Sequence, residues 1–255
     1  MRLAAVGVLT GWGEGVAALP DDARRAARGR RVVALSPPPS SERLRRATRE
    51  CRLGVAAVRS LLAAAGLEPA AIAGADTALL YVSAGAYGAA NRAFIESPGG
   101  ALHFPYTAPS AVPAEVTIEF GLTGPYIILI GGGAVTIEAL AQAERLLGQG
   151  SCERALVLAV ETFAECADLY ARARWAVGSP LVEAAACALF TPGPPVLTVG
   201  PAPGGSRLTD LARRRAGETF ACGPLIGLAL ARETGDDPWS VSGQWRGRSA
   251  ALLAR

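Results

Sequence analysis

The chain has 255 residues, of which 51% are hydrophobic and 18% charged. It is long enough to bury most of its apolar surface and too apolar to stay disordered. All 25 basic residues are arginine, set against 22 acids, and the excess of +3 is too small by itself to point to nucleic acid.

Five cysteines (51, 152, 166, 187, 222) form no CxxC pair, which argues against metal and redox motifs, so neither a metal nor a cofactor is expected. Cys51, Cys187 and Cys222 lie in apolar runs and read as core residues of a reduced, cytoplasmic protein. The apolar opening resembles a signal peptide until Gly11-Trp12-Gly13-Glu14-Gly15 interrupts it. No run reaches the roughly 18 apolar residues of a membrane span. The expectation is a soluble protein.

In chain order, residues 2–9 predict a strand and 20–40, Arg-rich and then Pro-rich, a surface loop. Leu44, Ala47, Cys51, Val55, Val58 and Leu62 recur at spacings of three and four, predicting a helix over 41–65 stopped by Gly66. Residues 77–82 predict a buried strand, 83–113 mostly loop and short helix, and 114–120 a short helix ending at Gly121. Residues 126–130 are all apolar, as in a strand covered on both faces. A helix to Gly148, strands at 154–160, 184–190 and 196–199, helices at 208–215 and 222–232, and a hairpin of 241–244 with 249–254 complete the reading. The helix at 222–232 is apolar nearly all round and therefore buried. Strands alternate with helices, so the class is α/β with a covered sheet. No linker separates two domains, and 1–255 reads as one unit.

The segment from Gly124 to Leu140 is a tight turn, a strand, a sharp elbow and a helix. Such an elbow often lifts a nucleophile to a helix start, but here it holds Gly131, Gly132 and Gly133. A glycine-rich turn at a helix start can also bind phosphate. As a dinucleotide fingerprint it fails, because Thr136 stands where a third spaced glycine is needed. Alternatively the glycines serve backbone packing alone.

Other groups could carry chemistry. His103, the only histidine, lies in a loop between apolar residues, and it is either an acid–base or structural. Cys166 sits beside acidic residues, which raise a thiol pKa and disfavour a nucleophile. Tyr81 and Ser83 are weak substitutes. Arginines cluster at 24–31, at 43–52 and at 213–215. Arg45, Arg49 and Arg52 are spaced to share one helix face, which is either merely solvated or docks an acidic partner.

Several stretches carry a family resemblance. Residues 109–115 and 120–125 resemble the lead-in to the active-site strand of the β-ketoacyl synthases, a branch of the thiolase fold. The strand, elbow and helix follow at once. Residues 150–161 resemble the family's next core strand, 217–223 the Gly-His-Thr stretch that opens a buried helix, and the last residues its closing hairpin. The resemblance implies a thiolase-like layered fold, helices around mixed β-sheets, with a first half of about 1–160 and an abbreviated second half of about 161–255. It places Gly133 where the family has its nucleophilic cysteine and Glu218 where it has a histidine, while the stretch for the other histidine is missing. Such chains look like chain-length-factor subunits, and they are similar to the small ketosynthase-like proteins of aryl polyene and related gene sets. The resemblance then implies a non-catalytic partner of an active ketosynthase in fatty-acid or polyketide-type biosynthesis. Binding would involve Gly131, Gly132, Gly133, His103, Phe104, Tyr106 and Glu218, and an acyl carrier protein would dock at Arg45, Arg49 and Arg52. Two alternatives stay open: an acyl-thioester acyltransferase or hydrolase using Glu218, His103 or Cys166, and a self-paired scaffold working as a homodimer. Nucleic acid is not expected as a partner.

Overall fold

The computed structural model describes residues 1–36, 41–96, 104–163, 178–194, 197–200, 206–235 and 240–254, with the backbone alone at 197–200 and 254. His103, Cys166 and the loops expected at 37–40 and 201–205 lie outside the described residues.

A six-stranded mixed sheet forms the centre. Its strands are β1 (Arg2–Thr10), β2 (Gly13–Glu14), β4 (Thr77–Ser83), β5 (Tyr126–Ile130), β6 (Arg154–Glu161) and β8 (Ala184–Thr191), in the order β2-β1-β8-β6-β4-β5. β4 runs parallel to both β5 and β6, while β8 is antiparallel to β6 and β1. Strands β4, β6 and β8 are buried almost throughout, which explains why they read as continuous apolar runs. A minor parallel pair joins β3 (Val32–Val33) to β7 (Leu181–Val182).

Helix α2 (Arg49–Ala65) packs on one face of the sheet, and α4 (Ala111–Phe120) packs on α2. Their core includes Leu53, Val58, Leu61, Val116 and Phe120 against Leu79, Leu156 and Leu158. The other face receives α5 (Gly133–Gly148) and α7 (Gly223–Thr234), with α6 (Arg207–Ala216) against α7. Ile137, Leu140, Leu225 and Leu228 fill this second core. A three-stranded sheet of β9 (Leu197–Gly200), β10 (Ser240–Trp245) and β11 (Arg248–Ala254) then packs on α5. Two further helices are α1 (Ala23–Ala26) and α3 (Gly88–Glu96).

Four expectations need correction. The helix expected from residue 41 begins at Arg49, where Thr48 accepts the Cys51 N–H as N-cap. Residues before it make turns, and Arg43 reaches across to Glu115 and Glu119 of α4. Arg45 therefore sits ahead of the helix and does not share a helix face with Arg49 and Arg52. The region 20–40 is more than a loop, since it holds α1 and β3. Strand β5 is not covered on both faces: it is the sheet's edge, with Tyr126 52% and Ile130 48% exposed.

Candidate functional site

The elbow stands between β5 and α5, on the last turn of chain before a sixteen-residue helix. Gly131 N–H donates to Ser83 O at 2.9 Å, which holds the strand end against β4. Gly132 is the N-cap, and its carbonyl accepts from Val135 and Thr136. Thr136 Oγ1 donates to Ala221 O at 2.7 Å and so ties the first turn of α5 to the turn at Phe220–Cys222. That turn has a second brace in Glu161, fully buried at the end of β6. Its carboxylate accepts from Ala84 N–H at 2.6 Å, Gly85 N–H at 3.2 Å and Ala221 N–H at 3.4 Å.

The β10–β11 hairpin lies directly on Gly132 and Gly133. A Cβ at Gly132 would stand 2.5 Å from Cε3 of Trp245, whereas one at Gly131 would first meet Cγ2 of Val135, on α5 itself, at 2.4 Å, with Cδ1 of Trp245 at 3.2 Å. At Gly133 a Cβ would meet Gly243 Cα at 3.1 Å and Gln244 N at 3.3 Å. The approach is mutual, because a Cβ at Gly243 would lie 2.1 Å from the Gly133 carbonyl and 2.6 Å from Ala134 N. Backbone of β10 thus covers the first turn of α5, where a bound phosphate would have to sit. Phe220, at φ 45, stacks edge-to-face between Trp245 at 5.7 Å and the buried Phe163 at 5.1 Å. A bulky residue at positive φ is held there only by its surroundings.

Beside this contact remains a pocket of about 140 Å³, reaching Gly133 past Glu218, Phe220, Ser242 and Gln244, with Thr209, Asp210 and Arg213 of α6 on its far side. It adjoins an outer groove of about 400 Å³ under Trp245, Arg246 and Arg248, and the two share Glu218, Phe220 and Gln244. Glu218 is engaged twice: its Oε2 lies 3.4 Å from Arg213 Nη2, and its Oε1 accepts the Phe220 N–H at 3.2 Å. Its backbone pairs with β7, so the carboxylate is fixed at the pocket wall.

The structure therefore brings together Gly133 and Glu218 but leaves other expected residues elsewhere. Tyr106 donates its hydroxyl to Glu115 Oε1 at 3.0 Å on α4, and burial together with that carboxylate pushes its pKa up to about 12. Phe104 is 63% exposed and packs edge-to-face on Phe94 of α3. Neither lines the pocket at Gly133. Tyr81 and Ser83 are buried in β4, and Ser83 Oγ accepts the Ala86 N–H at 2.8 Å. Arg49 points inward to the buried Glu183, while Arg45 is exposed beside Glu42. Sequence reasoning did not single out Phe220, Gly243 or Trp245 as site residues. The one local signal was a glycine inside a strand, which marks close backbone approach.

Among the described residues no cluster of His, Cys, Asp and Glu could hold a metal, and no helix is long and apolar enough to cross a membrane.

A family model described as "Beta-ketoacyl synthase, N-terminal domain" matches residues 38–193. Comparison with curated proteins found no match. Among solved structures, the ishigamide ketosynthase/chain length factor is 18% identical over 98% of this chain and 97% of that one, with a TM-score of 0.70. The type II PKS acyl-carrier protein in complex with its ketosynthase, AntDE:AntF, gives a TM-score of 0.76 at 14% identity, covering 98% and 97%. The ketosynthase ApeO in complex with its chain length factor ApeC, from Xenorhabdus doucetiae, gives 0.64 at 14% identity over the whole of both chains. At such identities the likeness is one of fold, and that fold is the thiolase-like layered arrangement, here with a shortened second half.

Proposed function

Since the chain belongs to the β-ketoacyl synthase family by its N-terminal domain, we propose that it is a non-catalytic, chain-length-factor-type subunit. It pairs with an active ketosynthase in fatty-acid or polyketide-type biosynthesis. The observation that carries this reading is the elbow. The position at which the family resemblance puts a nucleophile is Gly133, and the neighbouring Gly132 is fitted to the ring of Trp245. A thioester carbonyl arriving there meets backbone and no attacking atom. The partner supplies the cysteine and histidines, and this chain supplies shape.

The surface supports a partner. Of the six exposed large apolar side chains among the described residues, Ile95, Phe104, Ile118, Tyr126 and Ile130 fall in one stretch of sequence, which ends in the open edge strand β5. Asn91 Nδ2 donates to Thr107 O, and Tyr106 donates to Glu115, so α3, the turn at 104–107 and α4 are held to one another. Open edges with apolar faces invite pairing. In this reading the α3 segment and Phe104 help wall the partner's acyl tunnel.

Co-expression with a candidate ketosynthase, followed by solution mass measurement, tests the reading. A stable heterodimer is expected; a chain that stays alone, or pairs only with itself, counts against it. The remaining pocket beside Glu218 favours one second reading, thioester turnover with Glu218 as acid or base. Intact mass and product analysis with acyl-carrier and acyl-CoA thioesters separate the two. Turnover abolished by Glu218→Gln, or any acylated side chain, would replace the passive reading.

A further inference from the structure

The main sheet has a second open stretch, on the opposite side from β5. There β2 covers only the last two residues of β1, pairing Leu9 with Glu14 and Thr10 with Gly13. Backbone groups of alternate strand residues point the same way. Gly15 N–H donates to Val8 O at 2.7 Å, so the Val8 backbone faces away from β8, and that of Val6 faces with it. Towards the start of β1 the Arg232 guanidinium donates to Leu3 O at 3.4 Å and to Ala4 O. Both ends of this edge are thus closed, and the middle is not. Val6 N–H, Val6 O and Val8 N–H have no partner among the described residues, although Val8 is buried. A buried backbone donor without a partner is rare.

The open stretch is the floor of a groove of about 350 Å³. Ser60, Ala63 and Ala64 of α2 form one wall, and Ala229 of α7, with Val16 beside it, forms the other. Such small side chains leave the width of the groove to a guest. Glu14 lies at the Val8 end and Arg232 at the Ala4 end. Both are exposed, and neither has an ion pair among the described residues. From Ala4 to Val8 the strand runs about 13 Å, at about 3.3 Å per residue. The floor therefore offers backbone groups over a short stretch, with an anion at one end and a cation at the other.

We propose that this groove takes one extended peptide segment of another protein, about five residues long, as an added antiparallel strand. The guest residue opposite Val6 exchanges two backbone hydrogen bonds with it, and Val8 N–H donates a third to the guest carbonyl two residues earlier. The guest's middle residues are β-branched, to fill the space between the alanine walls. Its first residue is a base beside Glu14. Its last is an acid beside Arg232, whose Nε and Nη2 remain open to a carboxylate. A second copy of the chain fits less well than a bare strand. Strands pair about 4.8 Å apart, whereas helix axes pack about 8–10 Å apart. Within this sheet α7 rests chiefly on β1, so two copies meeting edge to edge would press their α7 helices together. This docking is separate from pairing at β5, and neither requires the other.

Fluorescence anisotropy of the capped peptide Lys-Val-Thr-Val-Glu, carrying fluorescein on a spacer and titrated with the full chain, tests this. It is expected to bind about tenfold more tightly than Gln-Val-Thr-Val-Gln. Arg232→Glu should weaken binding about tenfold, and Lys-Val-Thr-Val-Lys should recover it in that variant. N-methylation of the central threonine removes the donor to Val6 O and should abolish binding. Ala64→Phe fills the groove from an exposed position and should abolish it too, with thermal melts showing that the fold is kept. In the complex, hydrogen exchange of the Val6 and Val8 amides, read by NMR, should slow at least about tenfold. No binding, equal binding by the N-methylated peptide, or unchanged exchange at Val6 and Val8 overturns the proposal. A doubled mass of the chain alone that Ala64→Phe returns to a monomer also overturns it and assigns the edge to a second copy.

Discussion

At Gly132 and Gly243 the hairpin contact sets steric limits that differ in kind. A Cβ at Gly132 runs into the rim of an indole, which can shift, whereas a Cβ at Gly243 runs into the backbone of Gly133, which cannot. Gly132→Ala should therefore lose about 1–3 kcal/mol and Gly243→Ala more, read as midpoints of urea unfolding. Adding Trp245→Ala to Gly132→Ala should recover part of the loss, so that the two changes are not additive; simple additivity would mean that the ring does not seal the elbow. Glu183 supplies a test by pH. Burial alone would raise its carboxyl, but Arg49 and the N–H groups of Phe163 and Leu35 outweigh burial and hold it below the usual carboxylate range. Its contribution to stability is thus present above about pH 4.3, where the unfolded glutamate ionises, and is lost as pH falls through the lower folded value. Glu183→Gln should cost about 2–4 kcal/mol at neutral pH and flatten the acid limb of a stability–pH curve.

Among the elements, strands β4, β6 and β8 and helices α5, α6 and α7 were legible from apolar runs and periodicity because tertiary packing follows those patterns directly. The start of α2 was not. Leu44 and Ala47 keep the helical spacing, yet Leu44 is buried from a turn and the Thr48 cap decides where the helix begins. Strand β5 misled for another reason: five apolar residues look the same whether they meet a neighbouring layer or a second molecule. The glycine elbow could be seen in the chain, but its partners Gly243 and Trp245 come more than a hundred residues later, beyond the reach of any local pattern. Reading Cys51, Cys187 and Cys222 as core residues agrees with their burial, which Cys152 shares. Burial pushes the Cys51 thiol up to about 12 and raises the other three as well. In a Cys166→Ser background, Ellman's reagent at about pH 8 should find no reactive thiol in the native chain and all four after unfolding. A fast native phase would show that one of these elements opens.

For the molecule as a whole, the decisive asymmetry is between the two edges of the six-stranded sheet. The β2 edge is two residues long and gives way to the turn at Val16–Ala18, whereas the β5 edge offers five apolar residues with one side unpaired among the described residues. An edge of that kind left to water is an aggregation hazard, so the chain should be stable in solution chiefly when something covers it. A charge placed on the edge separates partner pairing from folding, because Ile130 and Tyr126 are half exposed and contribute little to either core. Ile130→Lys should leave the circular-dichroism spectrum of the isolated chain unchanged and its thermal midpoint close to wild type, with a ΔΔG within about 1 kcal/mol. If the proposed ketosynthase partner covers β5, the same change should abolish the heterodimer peak in light scattering of the co-expressed pair, since a buried, unpaired ammonium at an interface centre costs several kcal/mol, on the order of 2–5. Tyr126→Ala, which removes area without adding charge, should weaken pairing by a smaller factor. If Ile130→Lys pairs as well as the wild type, the covering partner does not sit on β5, and the apolar side chains Ile95, Phe104 and Ile118 become the next surface to reverse.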